Sequence, residues 1–343
     1  MEKQKPSLHV RWGILGTGTV AEQFCGELKN VPGIEICRVW SRTSANAVAL
    51  AKRHGIPQAT SSLEEFLCAG GLDLVYICTP TALHEAHSLA CLDAGYGVLC
   101  EKPFTTSLES AQRIFSKAKE KNLFCMEGMW MRFNPLVQRT QELIRAGAIG
   151  DLLSVRAELG YKKNYASPIE RSQSLLWNFG AYTLSLFHMI LGVQKYVFTA
   201  GDSSNGELDR HLCGVLEWEK TNATFTVSDR VNLANEAVFI GTKGMLKLCS
   251  SFICPTRLEC SLPIFPSSPV TGKIGRLVYR VSGRQIYPDA FSMNAPIYSG
   301  FFHEADEASK CFRQGKIESH SMPWASSLEV IEMGLAVEGE LSR

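Results

Sequence analysis

The chain has almost no net charge to offer a polyanion: 35 Lys plus Arg stand against 34 Asp plus Glu, a formal charge of +1. That balance argues against a nucleic-acid partner, which selects a basic patch or domain. No run approaches the ~20 apolar residues that a membrane span needs. The opening segment, MEKQKPSLHVRWGILG, has no long apolar stretch before a small-residue cleavage site, so no secretory signal is read there. A cytoplasmic location is the expectation. C-x-x-C spacing is missing among the twelve cysteines, which leaves neither a zinc site nor a redox pair signalled. Cys37, Cys78 and Cys100 lie in apolar runs and are expected as reduced, buried thiols. His84 and His87 stand three apart on an expected helix but lack a third ligand at useful spacing. No metal is assigned to them, and a place on the helix surface is expected.

What is present points to two globular domains. The 343 residues are 45% hydrophobic and 20% charged, too many for one comfortable core. Through residue 128, short apolar runs alternate with helical patterns. Strands are expected at 10–16, 34–40, 72–80, 96–103 and 123–128, and helices at about 20–30, 45–54, 63–67, 84–94 and 108–121. Such alternation predicts right-handed βαβ crossovers and a parallel sheet covered on both faces. After about residue 150 the pattern becomes β-rich, with period-two alternation and a turn at Gly241-Thr242-Lys243-Gly244. It reads as a large, mainly antiparallel sheet with helices on one face. Further helices are expected at 180–191, 299–314 and 326–341, and an irregular loop at 261–298. The fold class is α/β: a doubly wound domain at 1–128, then an α+β domain at 129–343 whose last helices return to the first.

The first strand runs into Gly16-Thr17-Gly18-Thr19-Val20-Ala21, a G-x-G-x-x-A pattern. Gly16 permits the tight turn, Gly18 lets backbone approach a pyrophosphate, and Ala21 lets the helix pack close. The helix start then offers N–H groups and a positive dipole end to the anion. Thr17, Thr19 and Val20 complete this cofactor loop. At the end of the second strand an NAD site usually places Asp or Glu, to hold the ribose hydroxyls. Here the residues are Ser41-Arg42-Thr43-Ser44, with no acid until Glu64. A hydroxyl and a guanidinium suit a 2′-phosphate, so NADP(H) is expected before NAD(H).

Glu101-Lys102-Pro103 ends the fourth expected strand, where ligands of such sheets bind. A lysine there can donate to a substrate oxygen or move a proton. Trp130, Arg132 and Phe133 follow the fifth strand and are candidate substrate-pocket residues. Interdomain core serves equally well for the two aromatics, and a carboxylate partner for Arg132. His188 is read as a core residue, and His303 and Glu304 of the tail are not assigned to the site.

GTGTVA, Thr79-Pro80 with His84, LDAGYGVLCEKP, the GTKG turn and FFHEADEASKCFRQGKIES together resemble the Gfo/Idh/MocA family of glucose–fructose oxidoreductases and inositol dehydrogenases. The resemblance spans nearly the whole chain. MEGMWMRFNP, GTKGMLKL and CPTRLE are similar to its NADP-dependent branch of dihydrodiol and D-xylose dehydrogenases. The resemblance implies a Rossmann domain, an open sheet that often forms a homodimer face, and Lys102 as the catalytic lysine. It places Thr79, Pro80, His84, Glu101 and Lys102 at the cofactor. It also implies a D-x-G-x-[HY] motif, matched by Asn178-Phe179-Gly180-Ala181-Tyr182, with Tyr182 as acid/base. Asn178 departs from the family's Asp: it keeps the hydrogen bonds and loses the charge. The expectation is an oxidoreductase acting on a sugar, polyol or cyclic trans-diol. Two alternatives stay open: an NADP(H)-binding sensor with little catalysis, and a reductase of an unsaturated ring or imine.

Overall fold

The computed structural model describes residues 9–164, 174–201, 210–249, 251–261, 291–294 and 299–341. The chain divides into two units, Met1–Phe133 with Ile297–Ala336, and Asn134–Pro296 with Val337–Arg343.

In the first unit, strands β1 (Val10–Leu15), β2 (Ile34–Trp40), β3 (Gln58–Thr60), β4 (Leu74–Ile77), β5 (Gly97–Glu101) and β6 (Cys125–Gly128) form one parallel sheet in the order β3-β2-β1-β4-β5-β6. Every residue of β4, β5 and β6 is buried, and apart from Glu101 and Glu127 their sequences carry no charge. Between them run α1 (Thr19–Leu28), α2 (Ser44–His54), α3 (Leu63–Cys68), α4 (His84–Asp93) and α5 (Leu108–Lys121). The inward face of α1 is Ala21, Phe24, Cys25 and Leu28, the four residues its periodicity selects. Helix α2 stops at Gly55, whose φ of 70° is the left-handed cap that a glycine supplies. The strand order reverses between β1 and β4, and a doubly wound sheet binds its ligand at the carboxyl ends there.

Two pieces of this unit escape the sequence pattern. β3 has only three residues, too few to show a period. The strand expected at 72–80 shrinks to Leu74–Ile77, because its flanks bond outside the regular ladder: Asp73 donates its N–H to Arg11 and Cys78 to Leu15.

The second unit holds α6 (Pro135–Arg145), β7 (Leu152–Gly160), α7 (Ala181–Leu191) and seven further strands: β8 (Tyr196–Gly201), β9 (His211–Glu217), β10 (Asn222–Ser228), β11 (Ala237–Gly241), β12 (Gly244–Cys249), β13 (Arg257–Ser261) and β14 (Phe291–Asn294). They form an eight-stranded sheet in the order β14-β13-β12-β11-β7-β10-β9-β8. The β7–β10 pair is parallel and the others are antiparallel. β11 and β12 meet through Thr242-Lys243, as the GTKG turn requires. Along β9, Leu212 and Leu216 are buried while His211, Cys213, Val215 and Glu217 face outward, so one face is core and the other open. The open face exposes Tyr196, Phe198, Val215 and Met245.

Helix α6 is absent from the sequence pattern although its start is well marked. Asn134 caps it by accepting from the Leu136 N–H at 2.9 Å, and Pro135 takes the first helical position. β14 lies inside the stretch expected as an irregular loop. The rest of 262–298 lies outside the described residues, as do 165–173.

The tail forms α8 (Gly300–Arg313) and α9 (Trp324–Leu341). α8 packs on α1 within the first unit. The indole of Trp12 donates to Ser309 Oγ at 3.3 Å, and Phe302 N–H to Glu27 Oε2 at 3.0 Å. No helix among the described residues is long and apolar enough to cross a membrane.

Candidate active site

The loop after β1 is built around two glycines with different reasons to be glycine. Gly16 has φ +126°, and a Cβ there would lie 2.8 Å from the Cys78 carbonyl oxygen. The neighbouring strand end excludes a side chain at 16. Gly18 has an ordinary φ of −75°, and a Cβ on it would meet nothing within 4 Å. Neither backbone nor protein packing demands glycine at 18; the space over it is open for something else. Among the described residues no side chain caps α1, which leaves its first N–H groups at that space. The one acid of the first turn, Glu22, is paired with Arg53 at 2.7 Å and lies 2.7 Å from His54 Nε2. An uncapped, anion-ready helix start behind a bare glycine fits a pyrophosphate. Thr17 and Ser41 tie this loop to the end of β2 through hydroxyls 3.0 Å apart. Thr19 and Val20 are exposed at the helix start.

Beyond Ser41 the chain enters α2. Arg42, Thr43 and Ser44 are exposed, Thr43 makes no side-chain cap, and the first turn holds no acid. The side that would hold ribose hydroxyls by a carboxylate has a guanidinium in its place.

Thr79 and Pro80 follow β4, Glu101 ends β5, and Lys102 comes directly after it. His84 joins these two loops. Its Nε2 lies 2.8 Å from the Thr79 carbonyl, and its Nδ1 lies 3.0 Å from the Pro103 and 3.2 Å from the Phe104 carbonyl. The helix-surface place expected for His84 and His87 is therefore a correction. They are 1% and 7% exposed, because His84 ties two loops and His87 meets the Thr79 hydroxyl at 3.0 Å. Burial, then the three carbonyls pulling the other way, leaves the His84 pKa below its ordinary value. Cys37 and Cys78 are only part-buried, whereas Cys100 is buried: Cys78 closes the floor beneath Gly16, and Cys37 sits at the register break where Trp12 pairs with Ile36 and Gly13 with Arg38.

Lys102 is half-buried. Behind it, Glu101 accepts from Lys102's own N–H at 3.2 Å and from the Tyr76 hydroxyl. Burial pushes the Glu101 carboxyl up to about 7, against the pull of Tyr76 and Lys102. Glu127 of β6 accepts from the Phe104 N–H at 3.1 Å and from Ser327 at 2.7 Å. Trp130, Arg132 and Phe133 lie in the turn after β6. Trp130 stacks on Phe301 at 5.0 Å, and Phe133 is buried. Arg132 is 3% exposed, its pKa lowered to about 10 by burial despite the fields of Glu127 and Glu329.

Asn178 and Tyr182 belong to the second unit. Leu176–Gly180 form a π-helical turn leading into α7. Such a turn is an insertion that proteins keep mostly at functional positions, and nothing in the sequence periodicity signals it. Tyr182 is buried and Asn178 half-buried. Phe179 of the same turn carries Tyr161 edge-on at 6.1 Å and the Lys163 ammonium 5.9 Å over its ring. His188 is buried, in keeping with a core role.

Residues 10–129 match the oxidoreductase family model with the NAD-binding Rossmann fold, and residues 137–247 match the GFO/IDH/MocA C-terminal domain. The chain is 30% identical over 328 residues to the trans-1,2-dihydrobenzene-1,2-diol dehydrogenase of Bos taurus, covering 93% of this chain and 92% of that one. It belongs to the GFO/IDH/MocA oxidoreductase family. The human dehydrogenase of the same name is 29% identical over 93% of this chain and 92% of its own length. Among solved structures, the 3-ketoreductase KijD10 from Actinomadura kijaniata, in complex with TDP-benzene and NADP, superposes with a TM-score of 0.81 at 20% identity, over 97% of this chain and 98% of that one. A levoglucosan dehydrogenase superposes at 0.80 with 16% identity, over 97% of each chain. These structures share the fold: a six-stranded Rossmann sheet and a mainly antiparallel second sheet.

Proposed function

We propose that the chain is an NADP(H)-dependent oxidoreductase that moves a hydride between nicotinamide and a CH–OH or C=O carbon of a sugar, polyol or cyclic trans-diol. One observation carries the reading. The glycine loop, the Thr79 loop and Lys102 lie at the carboxyl ends of β1, β4 and β5, three neighbouring strands. In this reading residues 1–128 bind the cofactor, and residues 129–343 bind substrate and form a homodimer through the open sheet face. Bound in the cradle, nicotinamide supplies the hydride chemistry. The chain supplies position and charge. Gly16, Thr17, Gly18, Thr19 and Val20 take the pyrophosphate, and Ser41 and Arg42 the 2′-phosphate. Thr79, Pro80 and Glu101 line the crevice, and His84 holds the Thr79 and Pro103 loops at fixed separation. Lys102 donates to the reacting oxygen and stabilises the alkoxide as it forms. Tyr182 moves the proton, Asn178 orients a substrate hydroxyl, and Trp130, Arg132 and Phe133 shape the pocket.

Trans-1,2-dihydrobenzene-1,2-diol dehydrogenases among the relatives, and a levoglucosan dehydrogenase among the structural neighbours, support this substrate range. The test is turnover of aldoses, inositols and cyclic trans-diols with NADP+. Oxidation of at least one supports the reading. Tight NADPH binding without turnover of any favours the sensor reading, which the uncharged Asn178 motivates. The cofactor choice has its own prediction. Arg42→Ala should weaken NADPH about tenfold or more, the worth of a charge-assisted phosphate contact, and leave NADH nearly unchanged. Fluorescence titration with both nucleotides checks it.

A further inference from the structure

Asn178 stands between two anchored neighbours. The indole N–H of Trp177 donates to Glu338 Oε1 at 2.5 Å. Glu338 lies in the last turn of α9, in the stretch that belongs to the second unit. Trp177 is buried, and an indole nitrogen can only donate, so its N–H needs an acceptor. A half-buried carboxylate makes the stronger, charge-assisted kind of bond. The residue after Asn178 is held as well: Phe179 carries Tyr161 edge-on at 6.1 Å and the Lys163 ammonium 5.9 Å over its ring. Both of those residues sit on a fixed strand end. The N–H of Tyr161 donates to the Ser228 carbonyl at 3.1 Å, and that of Lys163 to the Asp229 carbonyl at 2.9 Å. The Tyr161 hydroxyl meets Ser251 Oγ at 2.8 Å.

The backbone between these anchors holds one residue more than an α-helix would. The Asn178 N–H reaches the Ser174 carbonyl, four residues back, whereas the Ala181 N–H reaches the Leu176 carbonyl, five residues back. The Thr183 hydroxyl donates to the Gly180 carbonyl at 2.8 Å. Such a turn has a second arrangement, in which the extra residue passes back toward Ser174 and four-residue bonds close throughout. In that register the side chains of Leu176–Gly180 turn by about 100° relative to α7, the rotation of one helical residue. The Trp177 N–H then leaves Glu338, and Asn178 is re-aimed relative to Tyr182. A bond made in one register and lost in the other is what selects between two arrangements. We propose that Glu338 is a positioning residue: through the Trp177 indole it holds the turn in its π register and so fixes where Asn178 stands relative to Tyr182. The role rests on the reading of Asn178 as the group that orients a substrate hydroxyl.

Glu338→Ala should lower kcat/KM about tenfold or more on the substrate that the panel identifies. NADPH affinity should stay within roughly twofold, because the glycine loop lies in the first unit. Asn178→Ala should show a loss of similar size, and the double variant should be no worse than the poorer single one, since both changes remove one interaction. Glu338→Gln keeps an acceptor for the indole and should keep most of the rate. Trp177→Phe keeps a ring and removes the donor; it should repeat the Glu338→Ala loss, and it carries the same test where the Ala variant folds poorly. Amide hydrogen exchange across residues 176–182 needs no turnover. It should quicken in Glu338→Ala and Trp177→Phe and stay near wild type in Glu338→Gln. Unchanged exchange in both of the first two would overturn the clamp. So would a Glu338→Ala loss that multiplies in full with that of Asn178→Ala, or a Gln variant no better than Ala, each of which marks general packing. Wild-type kcat/KM in Glu338→Ala beside an impaired Asn178→Ala would overturn the positioning role alone. Wild-type kinetics in Asn178→Ala would overturn the reading of Asn178, and the positioning role with it.

Discussion

Replacing Lys102 with Met should lower kcat/KM by about a thousandfold or more while leaving the NADPH dissociation constant within roughly twofold of wild type. Methionine keeps the length and apolar stem of lysine and removes only the ammonium. Two contributions vanish together: the charge that stabilises the forming alkoxide, and a proton acceptor beside the reacting oxygen. The fold has little reason to respond, because Lys102 is half-buried at a strand end and the β5 ladder runs through Gly97–Glu101. Removing the ammonium also takes a favourable charge from Glu101, whose carboxyl should then ionise less readily. Steady-state kinetics on any substrate the panel identifies, paired with a nucleotide titration, separates the two effects. A variant that loses affinity and rate in equal measure would mean that Lys102 holds the cofactor and does no chemistry.

The two glycines of the first loop predict opposite outcomes from similar changes. At Gly18 a Val side chain would enter open space with an allowed backbone, so the melting temperature should stay close to wild type. The same side chain would fill the volume through which a pyrophosphate approaches the helix, and NADPH affinity should fall roughly a hundredfold. At Gly16 even Ala meets the Cys78 carbonyl and must hold a φ of +126°. That change should cost about 1–3 kcal/mol of stability before any ligand is added. Thermal unfolding with and without NADPH distinguishes the pair. A Gly18→Val protein that melts early, or that binds NADPH normally, would remove the pyrophosphate from this loop.

Most of the nucleotide-binding fold is legible in the sequence because its strands are short, apolar and separated by glycine- or proline-marked helix ends. β2 and α5 lie where the pattern sets them, and α1 turns inward the four residues its spacing selects. The losses have local causes. α6 begins with an Asn-Pro cap and turns Leu136, Val137, Thr140 and Leu143 inward, both easy to read in retrospect, but it is short and follows directly on the turn after β6, where one domain's pattern gives way to the next. β14 lies in a Pro- and Ser-rich stretch that hides a four-residue strand. Spacing singles out Gly16, Gly18 and Arg42, whose proposed roles rest on local backbone and charge. It misplaces His84 and His87, since a helix turns its polar residues inward whenever loop carbonyls await them. Nor does it show that Glu304 is buried, because α8 meets α1 across 275 positions of the chain, where the Phe302 N–H reaches Glu27. The π turn at Leu176–Gly180 is likewise invisible, because this segment and the start of α7 are buried nearly all round and leave no one-sided stripe for an inserted residue to break.

The most direct test is a calorimetric titration of the purified protein with NADPH and, separately, NADH. The glycine loop and Arg42 together predict one site per chain, with NADPH bound at least about tenfold more tightly than NADH. Heat from neither nucleotide, or a tighter complex with NADH, would contradict it.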